Sequence, residues 1–267
     1  MSYENCILTG DCLSILPTLP AGIADLVFAD PPFNIGLDYP DYDDSRPPGE
    51  YLTQMEACFG AIRRVLSPTG SLFVAIGPQY QAELCVLLKG LGFHWRNTIV
   101  WHYTFGPAQQ QKFTPSWAAV HYFTADPKRF TFHGDAVRVP SARQLKYNDR
   151  RANPKGKLPD DVWVLRPQDE EECFRPDADV WHVPRVAGTF RERVGHVCQM
   201  PMEVLERIVR GASSPGDLVL DPFAGTGTAL AAAKRLGRKW LGVEMSEGTA
   251  DLARSRLERE CPALFAE

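Results

Sequence analysis

No apolar run in these 267 residues approaches the roughly 20 that a membrane-spanning helix needs. The first residues also lack the basic-then-apolar layout of a secretory signal. A cytoplasmic protein with no membrane partner is therefore expected. The seven cysteines are odd in number and irregular in spacing, which fits a reducing compartment better than a disulfide framework. Cys6 and Cys12 do not form a C-x-x-C pair, and no later Cys/His cluster has zinc spacing, so no metal site is expected. The histidines at 94, 102, 121, 133, 182 and 196 form no triad in sequence and read as packed or surface residues. Internal repeats and low-complexity tracts are absent. The formal charge of −4 argues against an indiscriminate polyanion binder. What is present is ordinary for a soluble globular chain, 44% hydrophobic and 23% charged, and long enough for one large domain or a domain with an insertion.

The charge is segregated. From Asp126 to Leu158, nine Lys/Arg (Lys128, Arg129, Arg138, Arg143, Lys146, Arg150, Arg151, Lys155, Lys157) face three Asp, a net +6. From Pro159 to Asp179, eight Asp/Glu face Arg166 and Arg175, a net −6. Two readings stand. A local basic patch suffices for phosphate contacts even on an acidic protein, and Arg138, Arg143, Lys146, Arg150 and Arg151 are its candidates. Alternatively, the two halves form a solvated loop and pair with each other.

Periodicity gives the organisation. Leu26-Val27-Phe28-Ala29 is a buried strand ending at Asp30. Leu52, Met55, Phe59, Ile62, Val65 and Leu66 recur at helical spacing, giving a helix over 50–66. Pro68-Thr69-Gly70 turns into the strand Ser71–Ile76, followed by a helix over 79–90. Thr98–Trp101 and Ala118–Phe123 read as a strand and its hairpin partner. Between 126 and 195 the pattern disappears, leaving Trp163 and Trp181 as isolated anchors; such a stretch is functional or disordered. Pro201 suits a helix N1 position. The strand Leu218–Asp221, a helix over 227–236, the strand Trp240–Glu244 and a helix from Ser246 to Glu260 complete the chain. Alternating strands and helices indicate an α/β fold, a parallel sheet covered on both faces. Ligands bind such sheets beyond the strands' carboxyl ends, which puts Asp30, Asp221 and Glu244 on one rim.

Two stretches carry chemistry there. In Asp221-Pro222-Phe223-Ala224-Gly225-Thr226-Gly227-Thr228 the glycines allow close backbone approach just before a helix. A third glycine is missing, since Leu230 stands at that position of G-x-G-x-x-G, which argues against a dinucleotide. Glu244, about 20 residues on, can accept hydrogen bonds from two ribose hydroxyls. Asp221 repels phosphate and suits a cationic ligand such as S-adenosylmethionine. The second stretch is Asp30-Pro31-Pro32-Phe33. An exocyclic amine on adenine or cytosine is a poor nucleophile because its lone pair is delocalised into the ring. Acceptors that draw its hydrogens aside redirect that lone pair. Asp30 and the main-chain carbonyl of Pro31 can serve, held by two prolines that fix φ. Phe33 offers a face for an extruded base. Asn34 either contacts cofactor or base or caps the following loop. Trp101, Tyr103 and Trp117 read as core more readily than as base contacts.

These two motifs resemble the catalytic and cofactor motifs of amino-methylating DNA methyltransferases, and their order resembles the β class, a circular permutation. The resemblance extends over most of the chain. It implies a Rossmann-like, S-adenosylmethionine-dependent methyltransferase fold with 1–125 as the catalytic part, 126–195 as an inserted target-recognition region and 196–267 as the cofactor-binding part. Thr9-Gly10-Asp11-Cys12 is similar to the segment near the cofactor adenine, which implies Asp11 as acceptor for its amine and Cys12 beside it. His196 to Pro201 resembles the segment before the cofactor helix. Phe113-Thr114-Pro115-Ser116 with His121-Tyr122-Phe123 is similar to the region behind the flipped base; Trp117-Ala118 replaces the usual charged pair there, so no catalytic role is assigned. Asp before the proline pair implies adenine N6 rather than cytosine N4, and Phe33 replaces the more frequent tyrosine. The implied partners are double-stranded DNA, a second copy of the chain and a cognate restriction endonuclease. No cysteine has the Pro-Cys context that C5-cytosine chemistry requires. The rival classes are cytosine N4 methylation, a nicotinamide oxidoreductase and a non-catalytic DNA-binding module.

Overall fold

The computed structural model describes residues 3–39, 41–102, 110–141, 143, 147–163 and 200–259, and all that follows concerns these. Lys146, Tyr103, Trp181 and the 196–199 part of the segment before the cofactor helix lie outside them, as does most of the acidic half of the expected insertion. The strands in chain order are β1 (Cys6–Thr9), β2 (Ala24–Ala29), β3 (Asp38–Tyr39), β4 (Tyr42–Asp43), β5 (Leu66–Ile76), β6 (His94–His102), β7 (Trp117–Thr124), β8 (Val162–Trp163), β9 (Leu218–Asp221) and β10 (Lys239–Glu244). The helices are α1 (Cys12–Ile15), α2 (Pro48–Val65), α3 (Gln81–Gly90), α4 (Met202–Ala212), α5 (Thr228–Arg235) and α6 (Glu247–Arg259).

Eight strands form one sheet in the order β1-β10-β9-β2-β5-β7-β6-β8, and β3 and β4 form a separate hairpin. The first five in that order are mutually parallel, so their carboxyl ends share one rim. β7 runs antiparallel between β5 and β6, the hairpin expected from the two apolar runs. β2 lies directly beside β9, pairing Leu26 with Val219 and Val27 with Leu220. The chain leaves β2 toward β5 and leaves β9 toward β10, in opposite directions. That divergence opens a crevice at the rim, where ligands of such sheets bind. The two halves of the chain therefore meet where the motifs require it.

Alternation along the strands sorts the core into two layers. Leu26, Phe28 and Val219 face α4, α5 and α6, packing with Leu205, Ile208, Leu230 and Ala253. Val27, Ala29, Leu218 and Leu220 face the other way, onto Met55, Phe59, Ile62, Leu84 and Leu88 of α2 and α3. Near-continuous apolar strands between two helical layers are the mark of a doubly wound sheet.

Three local features differ from the sequence expectation. Pro68-Thr69-Gly70 is not a turn between helix and strand but an irregularity within β5, where the register with β2 jumps from Ala24–Leu66 to Leu26–Ser71. A proline without an N–H is tolerated in a strand at such a break. Pro201 is the N-cap of α4 rather than its first helical residue. The 126–195 region also contributes to the sheet, where Val162–Trp163 pairs parallel to β6; outside the sheet, Val139 forms an isolated bridge with Lys157.

Candidate active site at the carboxyl rim of the sheet

A cavity of about 750 Å³ opens over the rim. Asp11 and Cys12 after β1, Asp30–Phe33 after β2, Gly77–Gln79 after β5, Asp221–Thr226 after β9 and Glu244–Ser246 after β10 all line it, together with Thr228 at the start of α5. Four of the five parallel strands thus deliver predicted catalytic and cofactor residues to the cavity, and β5 adds residues that the sequence did not single out. Asn34 and Gly227 are not among its lining residues.

The glycine loop shows why its residues are glycines. Gly225 and Gly227 have φ of +49° and +74°, the left-handed region that side chains avoid. Gly227 is also the N-cap of α5, and a Cβ there would meet Ala253 at 3.3 Å. The absent third glycine has a structural counterpart. Leu230 packs over Gly242 of β10, where a Cβ would lie 2.6 Å from Leu230 Cδ1. Close helix–strand approach is kept, with the small residue on the strand instead of the helix.

Glu244 fixes the loop from below. The Gly225 N–H donates to its Oε2 at 2.8 Å and the Ser246 N–H to its Oε1 at 3.0 Å. Each carboxylate oxygen keeps a further lone pair for hydroxyl donors. Asp221 is buried, and burial pushes its carboxyl well above the usual range. The Phe223 N–H, 3.0 Å from Oδ1, lowers it, while the charges of Asp30 and Glu244 raise it further. Asp30 and Glu244 are thus both close enough for Asp221 to feel their charge. Such a site repels phosphate and attracts a cation. From α6, Arg256 donates to Thr228 Oγ1 at 2.9 Å and to Thr226 Oγ1 at 3.4 Å. These hydroxyls brace the loop, a role that the spacing of threonines did not suggest.

At the other end of the site, Asp11 caps α1 by accepting the Leu13 N–H at 2.9 Å. Cys12 is buried with its Sγ 3.6 Å from Cys58 Sγ; that thiol contact and burial push its pKa up, leaving a neutral wall. The catalytic motif is braced too. Tyr51 Oη donates to the Pro32 carbonyl at 2.9 Å. The Pro31 carbonyl has no partner among the described residues, so of the two proline carbonyls it is the one available to a substrate. Phe33 lies against Gly77, where a Cβ would come within 3.1 Å of its ring. Gly77 and Pro78, missed in the sequence, could have been read from their place at the end of the Ser71–Ile76 run.

Asn34 resolves to its capping alternative. Its Nδ2 donates to the Arg46 carbonyl and to Tyr80 Oη, both at 2.9 Å, and its Oδ1 accepts the Arg46 N–H at 2.8 Å. The amide is spent on the loop. His121 is likewise a packed residue: Nε2 meets the Gln81 carbonyl and Nδ1 meets Thr98 Oγ1, both at 2.9 Å. Trp101 is both core and wall, buried yet lining the cavity.

The basic candidates lie on the surface of the 126–163 segment. Arg138 pairs with Asp135 at 2.7 Å, Arg151 with Asp149 at 3.0 Å and Arg143 with Asp149 at 3.9 Å; Arg150 is exposed without an ion pair among the described residues. At the junction of the two halves Lys157 pairs with Asp160 at 2.8 Å, a local i,i+3 contact; most of the acidic half lies outside the described residues. Surface pairs of this kind are screened by salt and contribute little to stability.

A family model described as DNA methylase matches residues 24–255. The chain is 31% identical over 255 residues to the DNA adenine methyltransferase YhdJ of Escherichia coli (strain K12), covering 94% of this chain and 82% of that protein. A structure described as a DNA modification methylase of Thermus thermophilus, complexed with S-adenosyl-L-methionine, superposes with a TM-score of 0.62 at 26% identity, covering 97% and 95% of the two chains. The cytosine-N4-specific PvuII DNA methyltransferase shares the fold, with a TM-score of 0.62 at 17% identity over 94% and 89%.

Proposed function

Because the chain belongs to the amino-methylating DNA methylase family, we propose that this DNA methyltransferase modifies the N6 amine of adenine in a specific duplex sequence. One observation carries the reading: Asp30-Pro31-Pro32-Phe33 and the glycine loop share a single cavity whose carboxyl groups suit a cation. S-adenosyl-L-methionine, the methyl donor, supplies an electrophilic methyl on a sulfonium when bound. The site fits it, with room for a nucleoside and clustered carboxyl groups, whose mutual repulsion a cation would relieve, in place of a phosphate cradle. Glu244 would hold ribose hydroxyls, Asp11 the base amine, and the loop from Asp221 to Thr228 the remainder.

The target amine is hidden in a duplex and must be extruded. Phe33, backed by Gly77, gives the extruded base a stacking face. Asp30 and the Pro31 carbonyl accept its two amine hydrogens, which turns the nitrogen lone pair out of the ring. The proline φ values are fixed before substrate arrives, so orientation carries little ordering cost at each turnover. Asp in the first position supports adenine, as does the similarity to an enzyme described as a DNA adenine methyltransferase. The exposed residues Arg143, Arg150 and Arg151, with the partly buried Arg138, would contact phosphates flanking the target; Lys146 lies outside the described residues. The family resemblance extends the proposal to a homodimer and a cognate restriction endonuclease.

Nucleoside mass spectrometry of DNA incubated with the protein and S-adenosylmethionine tests the assignment. N6-methyladenine is expected. N4-methylcytosine alone would move the chain to the other branch of the family, and no methylated nucleoside would remove the reading.

A further inference from the structure

Beyond the motif itself, Asp44 gathers the backbone that follows it. Its side chain is buried at 2% exposure. Oδ1 accepts the Asn34 N–H at 2.7 Å, and Oδ2 accepts those of Ile35 at 3.1 Å and Leu37 at 3.0 Å. The remaining amide of the turn, Gly36 N–H, donates to the main-chain carbonyl of Asp44 at 2.8 Å. Four successive amides therefore converge on one residue. Asn34 and Gly36 reach this arrangement with φ of +55° and +77°. Successive N–H groups in such a conformation form an anion-binding concavity. Here the anion is internal, a carboxylate from ten residues downstream.

The turn so held is a wall of the site. Ile35 and Leu37 line the cavity directly after Phe33, and Tyr39 and Tyr42 of the β3–β4 hairpin line it beyond them. Gln79 Nε2 ties the Asn34 carbonyl to the end of β5 at 3.2 Å. The wall is thus anchored at both edges, and its shape is set by Asp44. Resting on the adenine-methylating function proposed above, we propose that Asp44 is a positioning residue. It holds the 33–37 wall, and with it the Phe33 ring, in the shape that receives the extruded base. It touches neither the methyl donor nor the amine.

Two variants strain the turn from opposite sides. Asp44→Asn keeps the volume but turns an NH₂ toward an amide donor. Gly36→Ala leaves the carboxylate intact; open space surrounds the added Cβ, so only the positive φ is opposed. Asp43→Asn is the control, because the hydrogen bonds seen at the exposed Asp43 side chain come from Ser45, and its main-chain contacts survive the substitution. Steady-state methylation and calorimetry with S-adenosylmethionine would be measured on each folded variant. Both test variants should lower kcat by roughly tenfold to a hundredfold, the scale of misplaced reacting groups. Cofactor Kd should stay within about twofold, and the control should match wild type. If Asp44→Asn does not fold, Gly36→Ala decides alone. A wild-type kcat in either folded test variant overturns the proposal, and so does a parallel loss of cofactor affinity, which would mark a merely structural role. A wild-type protein that methylates no base would instead overturn the underlying function, and this proposal with it.

Discussion

Replacing Glu244 by glutamine separates two jobs of the carboxylate, one observed and one proposed. In the protein without cofactor it clamps the Gly225 and Ser246 amides, at 2.8 and 3.0 Å. Glutamine can accept from one of them but presents its own N–H₂ to the other, so one clamp is lost. That loss is the same with and without ligand and largely cancels from affinity; it appears as a lower Tm. The second job is ligand-facing. A hydrogen bond to a charged acceptor contributes about 1.5–3 kcal/mol, and the variant forfeits one such acceptor for the ribose. At about 1.4 kcal/mol per factor of ten, the Kd for S-adenosylmethionine should rise roughly tenfold to 150-fold. Isothermal titration calorimetry on folded protein reads this directly. A Kd within about threefold of wild type, alongside a lowered Tm, would show that Glu244 is only a loop clamp and would refute the assignment of the ribose site.

Asp221→Asn should weaken cofactor affinity while leaving the cofactor-free protein as stable or more stable at neutral pH. Its carboxyl is raised by burial, so the charged form opposes the fold as pH climbs, and asparagine removes that term; a lower apo Tm with unchanged affinity would contradict this. Gly242→Ala puts a methyl 2.6 Å from Leu230 Cδ1 and should cost about 1–3 kcal/mol in urea unfolding, with part recovered by Leu230→Val; an additive double mutant would refute the contact. His121 is buried, and burial lowers its pKa. Below the ordinary histidine value the unfolded chain takes up a proton that the fold refuses, so stability falls as pH drops, and His121→Gln should flatten that part of the Tm–pH curve; an unchanged slope would assign it elsewhere.

The parts legible in the sequence are those that parallel sheets write in composition. Val27 to Ala29 and Leu218 to Leu220 are buried on both faces and so read as unbroken apolar runs, and the charged residue that ends each run marks the rim. Edge strand β1 was not legible, because four residues beside a single neighbour, only Ile7 of them buried, need no such run. The hairpin at 38–43 pairs only two residues a side, too short for a period to show. Asp44 and Tyr51 were invisible for a different reason. Both act by hydrogen-bonding main-chain groups, which every residue carries, so no side-chain pattern announces their partners. The same holds for Asn34, whose two sequence readings only its bonds to Arg46 and Tyr80 could separate.

The account stands on a division of labour across one cavity, with the amine gripped by the residues after β2 and the donor held by those after β9 and β10. Single-turnover methylation by Asp30→Ala, with calorimetry on the same preparation, measures that division. Methyl transfer should fall to background while S-adenosylmethionine binds with wild-type affinity. Transfer at the wild-type rate in that variant would contradict it.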